Sequence, residues 1–187
     1  MRTPDIPMAE LFLHILEPEG EFTFQVFPEA KNSEVFPKVL HGTLAKHADA
    51  LIEANKQGAG IFVMVNKGDG MTHEGTKSCR TAANVITVRA VFVDLDGAPL
   101  GPVLDFGLQP TMVVSSSHNR WHAYWLISDC PLETFGPTQQ RLASMFNGDP
   151  SVIDLPRVMR LPGFYHLKDD PFMSRIEYIK DNYAERL

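Results

Sequence analysis

The sequence predicts an α+β fold built on a mainly antiparallel sheet. Three observations carry this expectation. Helical and strand periodicities are mixed along one chain. The middle strands follow one another with no helix between them, the order of antiparallel rather than doubly wound parallel sheets. Two of these strands flank the polar turn "HNR", which makes them a hairpin. A length of 187 residues suits one domain with a sizeable core, with room for two lobes sharing a sheet.

Taken in order, "PMAELFLHIL" (7–16) reads as a short helix with Leu11, Phe12 and Ile15 on one side. "EFTFQVF" (21–27) alternates and is β-rich, so it reads as a strand. "PEAKNSEVFPKV" is turn-rich. Leu44, Ala48, Leu51 and Ile52 recur at helical spacing, and Gly58 and Gly60 punctuate the end of that helix. "GIFVMVN" (60–66) is a buried strand. "KGDGMTHEGTKSCRTAANV" is polar and Gly-bearing, a long loop of the kind that orders on a ligand. A long strand covers 86–96, the hairpin strands cover 111–117 and 121–128, and a helix runs from Pro137 to Phe146. Short apolar pieces broken by Pro and Arg fill 151–168, and a last strand covers 174–181.

Bulk properties narrow the class. Hydrophobic residues make up 44% and charged residues 21%, ordinary for a soluble globular chain. No apolar run approaches the roughly 20 residues of a membrane span, and the N-terminus lacks a signal peptide's basic region and cleavage site, so a cytoplasmic location is expected. Cys79 and Cys130 sit in no metal-ligand spacing and are expected as reduced thiols. A net charge of −6 argues against tight, non-specific binding of duplex DNA, though not against a local basic groove.

The candidate chemistry begins at "VFVDLDG", residues 91–97. In a strand Asp94 and Asp96 point to one face, because side chains alternate with period two. Two such carboxylates repel unless protons or a cation neutralise them, and Mg²⁺ prefers oxygen ligands of this kind. The bland alternative is a strand closed by Asp at a turn before Gly97. The phrase also resembles the nucleophile motif of haloacid-dehalogenase-type phosphatases, in which Asp94 would attack phosphorus. That motif normally opens its fold, whereas here half the chain precedes it.

In "VVSSSHNRWHAYW", His122 and Tyr124 share one strand face. Ser115, Ser116 and Ser117 end the preceding strand, and Arg120 adds charge. A strand histidine beside serine hydroxyls can donate to phosphate oxygens, although a lone histidine is more often structural. "GDPSVIDLPRVMRLPGFYHLK" supplies Asp149, Asp154, Arg157, Arg160 and Lys168. Arginine forks suit phosphate, and a salt-bridged connection such as Asp154 with Arg157 is the structural alternative.

The ordered set of DxD, "SSHNRWHAYW" and an acid before "RVMRLPGFYHLK" resembles the archaeo-eukaryotic primase superfamily, and within it the RepB-like plasmid and phage replication primases and primase-polymerases. The resemblance runs from about Glu21 to Arg175. It includes "HGTL", "GAGIFVMVN" and the run from Arg80 to Gly97. One departure is "SHNR", where relatives often carry a Pro-Gly turn. That should change the hairpin tip more than the chemistry.

The resemblance implies a single catalytic domain over 1–187. An N-terminal α/β lobe (about 1–85) would pack on an RRM-like part (about 86–187), with the active site in the cleft between. It implies primer synthesis on a single-stranded DNA template from NTPs or dNTPs, with two Mg²⁺ or Mn²⁺ ions. Asp94 and Asp96 would be metal ligands, with either Asp149 or Asp154 as the third, a choice the sequence leaves open. Ser116 and His122 would hold the triphosphate, His122 being catalytic. Ser117, Arg120, Arg157, Arg160, Lys168 and Arg80 are further nucleotide or template contacts. A replicative helicase is a conceivable partner and a membrane is not. Two other classes remain: the phosphatase, and a non-catalytic replication-initiation module that binds single-stranded DNA.

Overall fold

The computed structural model describes residues 2–181. Helix α1 (Ile6–Leu16) starts where the Asp5 carboxylate accepts from the Met8 N–H at 3.1 Å, with Pro7 in the first turn. Strands β1 (Phe22–Pro28), β2 (Lys38–Gly42) and β3 (Ala59–Met64) follow, with α2 (Leu44–Lys56) between β2 and β3. Thr43 caps α2 by accepting from the Lys46 N–H at 3.3 Å.

β2 departs from the sequence expectation. Its surroundings hold the Pro, Asn and Ser of a turn, and only pairing with β1, Phe22 opposite Gly42 through Val26 opposite Lys38, makes it a strand.

The long loop is more ordered than its composition suggests. β4 (Lys67–Gly68) pairs with β5 (Val85–Thr87) at its neck. Inside, Asp69 accepts from the Met71 N–H at 2.9 Å, from Asn84 Nδ2 at 2.8 Å and from His73 Nε2 at 2.8 Å. The Asn84 amide oxygen accepts in turn from the Thr81 N–H and hydroxyl.

The strand expected over 86–96 is two pieces, β5 and β6 (Ala90–Asp96). The break lets Arg89 turn inward, where it pairs with Glu17, donates to the Glu21 carbonyl at 2.7 Å and lies 4.3 Å from the Phe22 ring centre. The short helix α3 (Gly101–Leu104) precedes the hairpin of β7 (Met112–Ser117) and β8 (Arg120–Leu126). Asn119 takes a left-handed φ of 56° at the hairpin tip, as a tight turn needs.

Helix α4 (Leu132–Phe146) begins a turn and a half before the expected Pro137. The proline removes one backbone donor near the exposed start of the helix. Two threonine hydroxyls bond back to the backbone in the same turns: Thr134 donates to the Pro131 carbonyl at 2.9 Å and Thr138 to the Thr134 carbonyl at 2.8 Å. The chain ends with β9 (Val158–Arg160), β10 (Tyr165–His166), β11 (Phe172–Met173) and β12 (Arg175–Ile179).

The architecture is α+β with antiparallel sheets. One four-stranded sheet runs β2-β1-β3-β9 and the other β12-β7-β8-β6. The chain ends cross over. β9, from the last third, completes the first sheet beside β3. Helix α1 lies against the second sheet, with Phe12 edge-on to Tyr124 at 5.4 Å.

β6 is an edge strand, and α4 closes that edge. The buried Gln139 amide accepts from the Phe92 N–H at 3.0 Å and donates to the Phe92 carbonyl at 2.9 Å and the Val152 carbonyl at 3.1 Å. It behaves as a one-residue neighbouring strand. Phe135 and Phe146 of the same helix pack on Phe92 and Trp125. The strand that carries the two aspartates is thereby held from both sides. No helix among the described residues is long and apolar enough to cross a membrane.

Candidate active site

The register of β6 on β8 places Asp94 opposite His122 and Asp96 opposite Arg120. Residues paired across strands share a face, so the DxD pair, His122 and Arg120 all project together. His122 Nε2 lies 3.7 Å from Asp94 Oδ1, a facing contact just beyond hydrogen-bond length. Asp96 and Arg120 form an ion pair at 2.9 Å, with both side chains about half exposed.

A third carboxylate close enough to act on Asp94 is that of Asp149. Its backbone N–H donates to the Asp94 carbonyl at 2.8 Å, which brings the turn after α4 onto β6. Gly148 permits that approach. A Cβ there would stand 2.3 Å from Val93 Cγ2 and 2.9 Å from the Asp94 carbonyl oxygen. The Asp149 carboxylate accepts from the Ser151 N–H at 2.8 Å and hydroxyl at 3.0 Å. Asp154 faces elsewhere. It pairs with Arg157 at 2.5 Å, and its charge acts on Arg80 rather than on Asp94.

The electrostatics follow from this grouping. Burial pushes the Asp94 carboxyl up to about 6, and the negative charges of Asp96 and Asp149 add to the effect, against Arg120 and Arg157. Burial pushes His122 down to about 3, with help from the Arg160 charge, so its imidazole is neutral at working pH. Tyr124 Oη lies 3.3 Å from His122 Nδ1, and burial holds the phenol protonated. A phenol that donates to Nδ1 leaves the imidazole proton on Nε2, the nitrogen facing Asp94.

Of the other residues singled out, Ser116 is buried at a bulge between Ser115 and Ser117, with its hydroxyl 3.4 Å from the Arg120 carbonyl. Ser117 is half-buried and pairs with Arg120 across the hairpin. Arg157 donates to the Ser151 carbonyl, and its Nε is buried with no partner among the described residues. Arg160 is buried in an ion pair with Glu29 and lies 4.6 Å from the Phe62 ring centre. Its charge still reaches both His122 and His166. Arg80 donates to Gln25 Oε1 at 2.8 Å and to the Pro156 carbonyl at 3.3 Å, which links the loop to the segment after α4. Lys168 is exposed two residues beyond β10. Both cysteines are free thiols.

Three residues of the site carry no sequence signal of their own. Tyr124 is marked only by strand parity with His122. Glu29 lies 131 positions from the Arg160 it neutralises, and its carboxylate also accepts from the Leu167 N–H at 2.8 Å. His166 has its titration lowered by burial and by Arg160, and its ring faces the Ser116 backbone.

A divalent cation suits this chemistry. Three carboxylates share one corner of the second sheet, and their mutual repulsion already shows in Asp94. Among the described residues no three His, Cys, Asp or Glu side chains form a ready-made cage. Asp96 is turned onto Arg120, and Asp149 is engaged with Ser151. A cation would have to displace those two partners.

Comparison with known proteins bears on the family and the fold. The profile of the RepB DNA-primase N-terminal domain matches residues 43–183. No curated protein matches the chain. The fold resembles the AEP domain of the cyanophage S-2L primase-polymerase, with TM-score 0.75 and 22% identity over 96% of this chain and 92% of that one. It also resembles primase RepB′, with TM-score 0.69 and 19% identity over 94% of this chain but only 57% of RepB′. The catalytic domain of RepB′ in complex with initiator DNA gives TM-score 0.62 and 19% identity over 92% and 85% of the two chains. The profile match takes in the DxD strand, the hairpin and the Arg-Leu-Pro-Gly stretch together, which the phosphatase motif does not. The chain therefore belongs to the RepB DNA-primase N-terminal domain family.

Proposed function

We propose that this chain is the catalytic domain of a DNA primase or primase-polymerase, which joins nucleotides on a single-stranded DNA template. One observation carries the reading: Asp94 faces His122 across β6 and β8, with Asp149 tied to the Asp94 backbone. The second sheet with α4 is the catalytic, RRM-like part, and the first sheet is the smaller lobe. The setting is plasmid or phage replication. A replicative helicase is the natural partner of such an activity.

Asp94, Asp96 and Asp149 are the residues that would hold Mg²⁺ or Mn²⁺. Bound there, the ions would activate the attacking 3′-oxygen and neutralise the leaving pyrophosphate. The chain's own residues orient the reactants. Neutral His122 keeps a donor on Nε2 for a triphosphate oxygen, and the Tyr124 hydroxyl fixes which nitrogen carries the proton. Ser116, at its bulge, adds a hydroxyl to the same oxygens, with Ser117 beside it. With Asp96 engaged by a cation, Arg120 would be free to meet phosphate. Arg157, whose Nε lacks a partner among the described residues, has donor capacity to spare. Arg160, held by Glu29, contributes a fixed positive field beneath the site. Lys168 is a peripheral phosphate contact.

The test is synthesis without a primer. Single-stranded DNA, labelled NTPs or dNTPs and Mg²⁺ or Mn²⁺ should give short products that disappear in Asp94→Ala. DNA binding with no metal-dependent incorporation, with or without a primer, would replace the enzyme by a non-catalytic initiation module.

A further inference from the structure

The first sheet presents a second feature away from the carboxylates. One face of the sheet carries Val39 on β2, Gln25 on β1, Phe62 on β3 and Arg160 on β9 in one row, with Phe27 two residues beyond Gln25 on the same face. Phe27 and Phe62 meet edge-on at 5.7 Å. Arg160 lies over Phe62 at 4.6 Å, and Arg80 lies 6.0 Å from the Phe27 ring centre. The two phenylalanines are thus flanked by an arginine on either side.

Next to this row is an open groove of about 440 Å³, between the β1–β2 edge and the long loop. Gln25, Phe27, Lys38, Val39, Lys77 and Cys79 line it, and no acidic side chain does. In a chain of net charge −6, a groove walled by two exposed lysines and no carboxylate is a local inversion of sign. Phe36 precedes the lining residue Pro37 and is 86% exposed. A large aromatic so exposed beside a basic groove is available for stacking.

A chain of side-chain contacts connects the groove with the candidate active site. Arg80 contacts two of its lining residues, Gln25 and Phe27, and donates onward to the Pro156 carbonyl. Asp154 and Arg157 face that arginine, and Arg157 donates to Ser151, which holds Asp149. A strand lying in the groove would therefore be delivered to the lip of the carboxylate cluster.

We infer that this groove is the path of the single-stranded DNA template, with Phe36 and Phe27 stacking on bases and Lys38, Lys77 and Arg80 meeting phosphates. The proposal rests on the primase reading for its purpose, but not for its chemistry. Aromatic faces interleaved with cations are what an unpaired strand recognises, since its bases are free to stack. Duplex DNA hides those faces, and an acidic peptide would leave the two phenylalanines unused.

The two thiols provide the test. Cys79 lines the groove, and Cys130 precedes α4. Maleimide labelling of each is followed by peptide mass spectrometry, with and without a thymidine 20-mer in chelator. The oligonucleotide should slow labelling at Cys79 several-fold and leave Cys130 unchanged. Phe36→Ala should weaken binding about fivefold or more. Lys38→Glu with Lys77→Glu should abolish the protection, and Lys38→Ala with Lys77→Ala should lower the slope of log K against log salt by about 1.4. Equal labelling of Cys79 with the oligonucleotide bound, or protection that survives charge reversal, overturns the groove. Equal protection by a duplex overturns the single-strand assignment. The two readings fail separately: protection without synthesis keeps the groove and removes the enzyme, and synthesis without protection does the reverse.

Discussion

The backbone N–H of Asp149 donates to the backbone carbonyl of Asp94 at 2.8 Å, joining the turn after α4 to the strand that carries the DxD pair. This bond separates two acids that are equivalent in sequence. Asp149 stands close enough to raise the Asp94 carboxyl, whereas Asp154 is spent on Arg157. Asp149→Asn should therefore lower nucleotide incorporation at least about 100-fold, more than the loss typical of a group that only supports a metal ligand. Asp154→Asn should leave most incorporation intact. Primer-extension rates of the two variants, measured side by side with Mn²⁺, decide between them.

Gln139 should matter to activity without touching any reactant. Its amide satisfies the Phe92 N–H, the Phe92 carbonyl and the Val152 carbonyl inside the protein. Gln139→Leu leaves all three without partners, each costing about 1–3 kcal/mol. Urea unfolding should show a loss of several kcal/mol, and incorporation should fall because β6 is no longer held at its edge. A stability within about 0.5 kcal/mol of the parent would remove Gln139 from this role.

The Glu29–Arg160 pair should be worth more as a pair than either member alone. Both side chains are largely buried, and Glu29 also accepts from the Leu167 N–H. Glu29→Ala strands a buried guanidinium and should cost about 3–5 kcal/mol. Adding Arg160→Met should recover much of that stability while leaving the proposed triphosphate site without its positive field. Chemical denaturation and nucleotide binding, run on both variants, separate the two contributions.

The pH dependence of stability should carry two opposed contributions. Folded Asp94 keeps its proton to about pH 6, against an ordinary value of 3.8, so the folded chain binds more protons between those limits. That contributes stability at low pH which is lost as pH rises through 6. His122 works the other way. It stays neutral in the folded chain down to about 3, against an ordinary 6.5, so stability is lost as pH falls below 6.5. Asp94→Asn removes the first contribution and leaves the second. In chelator at pH 7.5 the variant should be more stable than the parent by about 1–3 kcal/mol. The margin should vanish near pH 4, and the acid loss of the variant should be the steeper. Thermal melts across that range test the sign. Divalent-cation affinity of the parent should rise with pH through 6, as Asp94 gives up its proton.

Much of the site was legible because it obeys local rules. Strand parity puts Asp94 and Asp96 on one face, and it pairs His122 with Tyr124. The polar turn closes as a hairpin because Asn119 tolerates a left-handed backbone. β2 was hidden because its strand character comes from β1 and not from its own residues. The start of α4 was hidden because Pro137 argues for a boundary that the helix passes through.

The sequence by itself determined the class of fold and the ordered set of acidic, histidine and arginine motifs. These depend on periodicity, turn chemistry and capping, which act over a few residues. Tertiary structure alone decided that Asp149 and not Asp154 joins Asp94, that Glu29 answers Arg160, and that Arg80 ties the long loop to the segment after α4. Those relationships span tens of residues. They exist because β9 returns to the first sheet, the turn after α4 lands on β6, and the long loop folds back over β1. Hydrogen-bond partners at such separations are set by which surfaces bury each other, and no local preference encodes that.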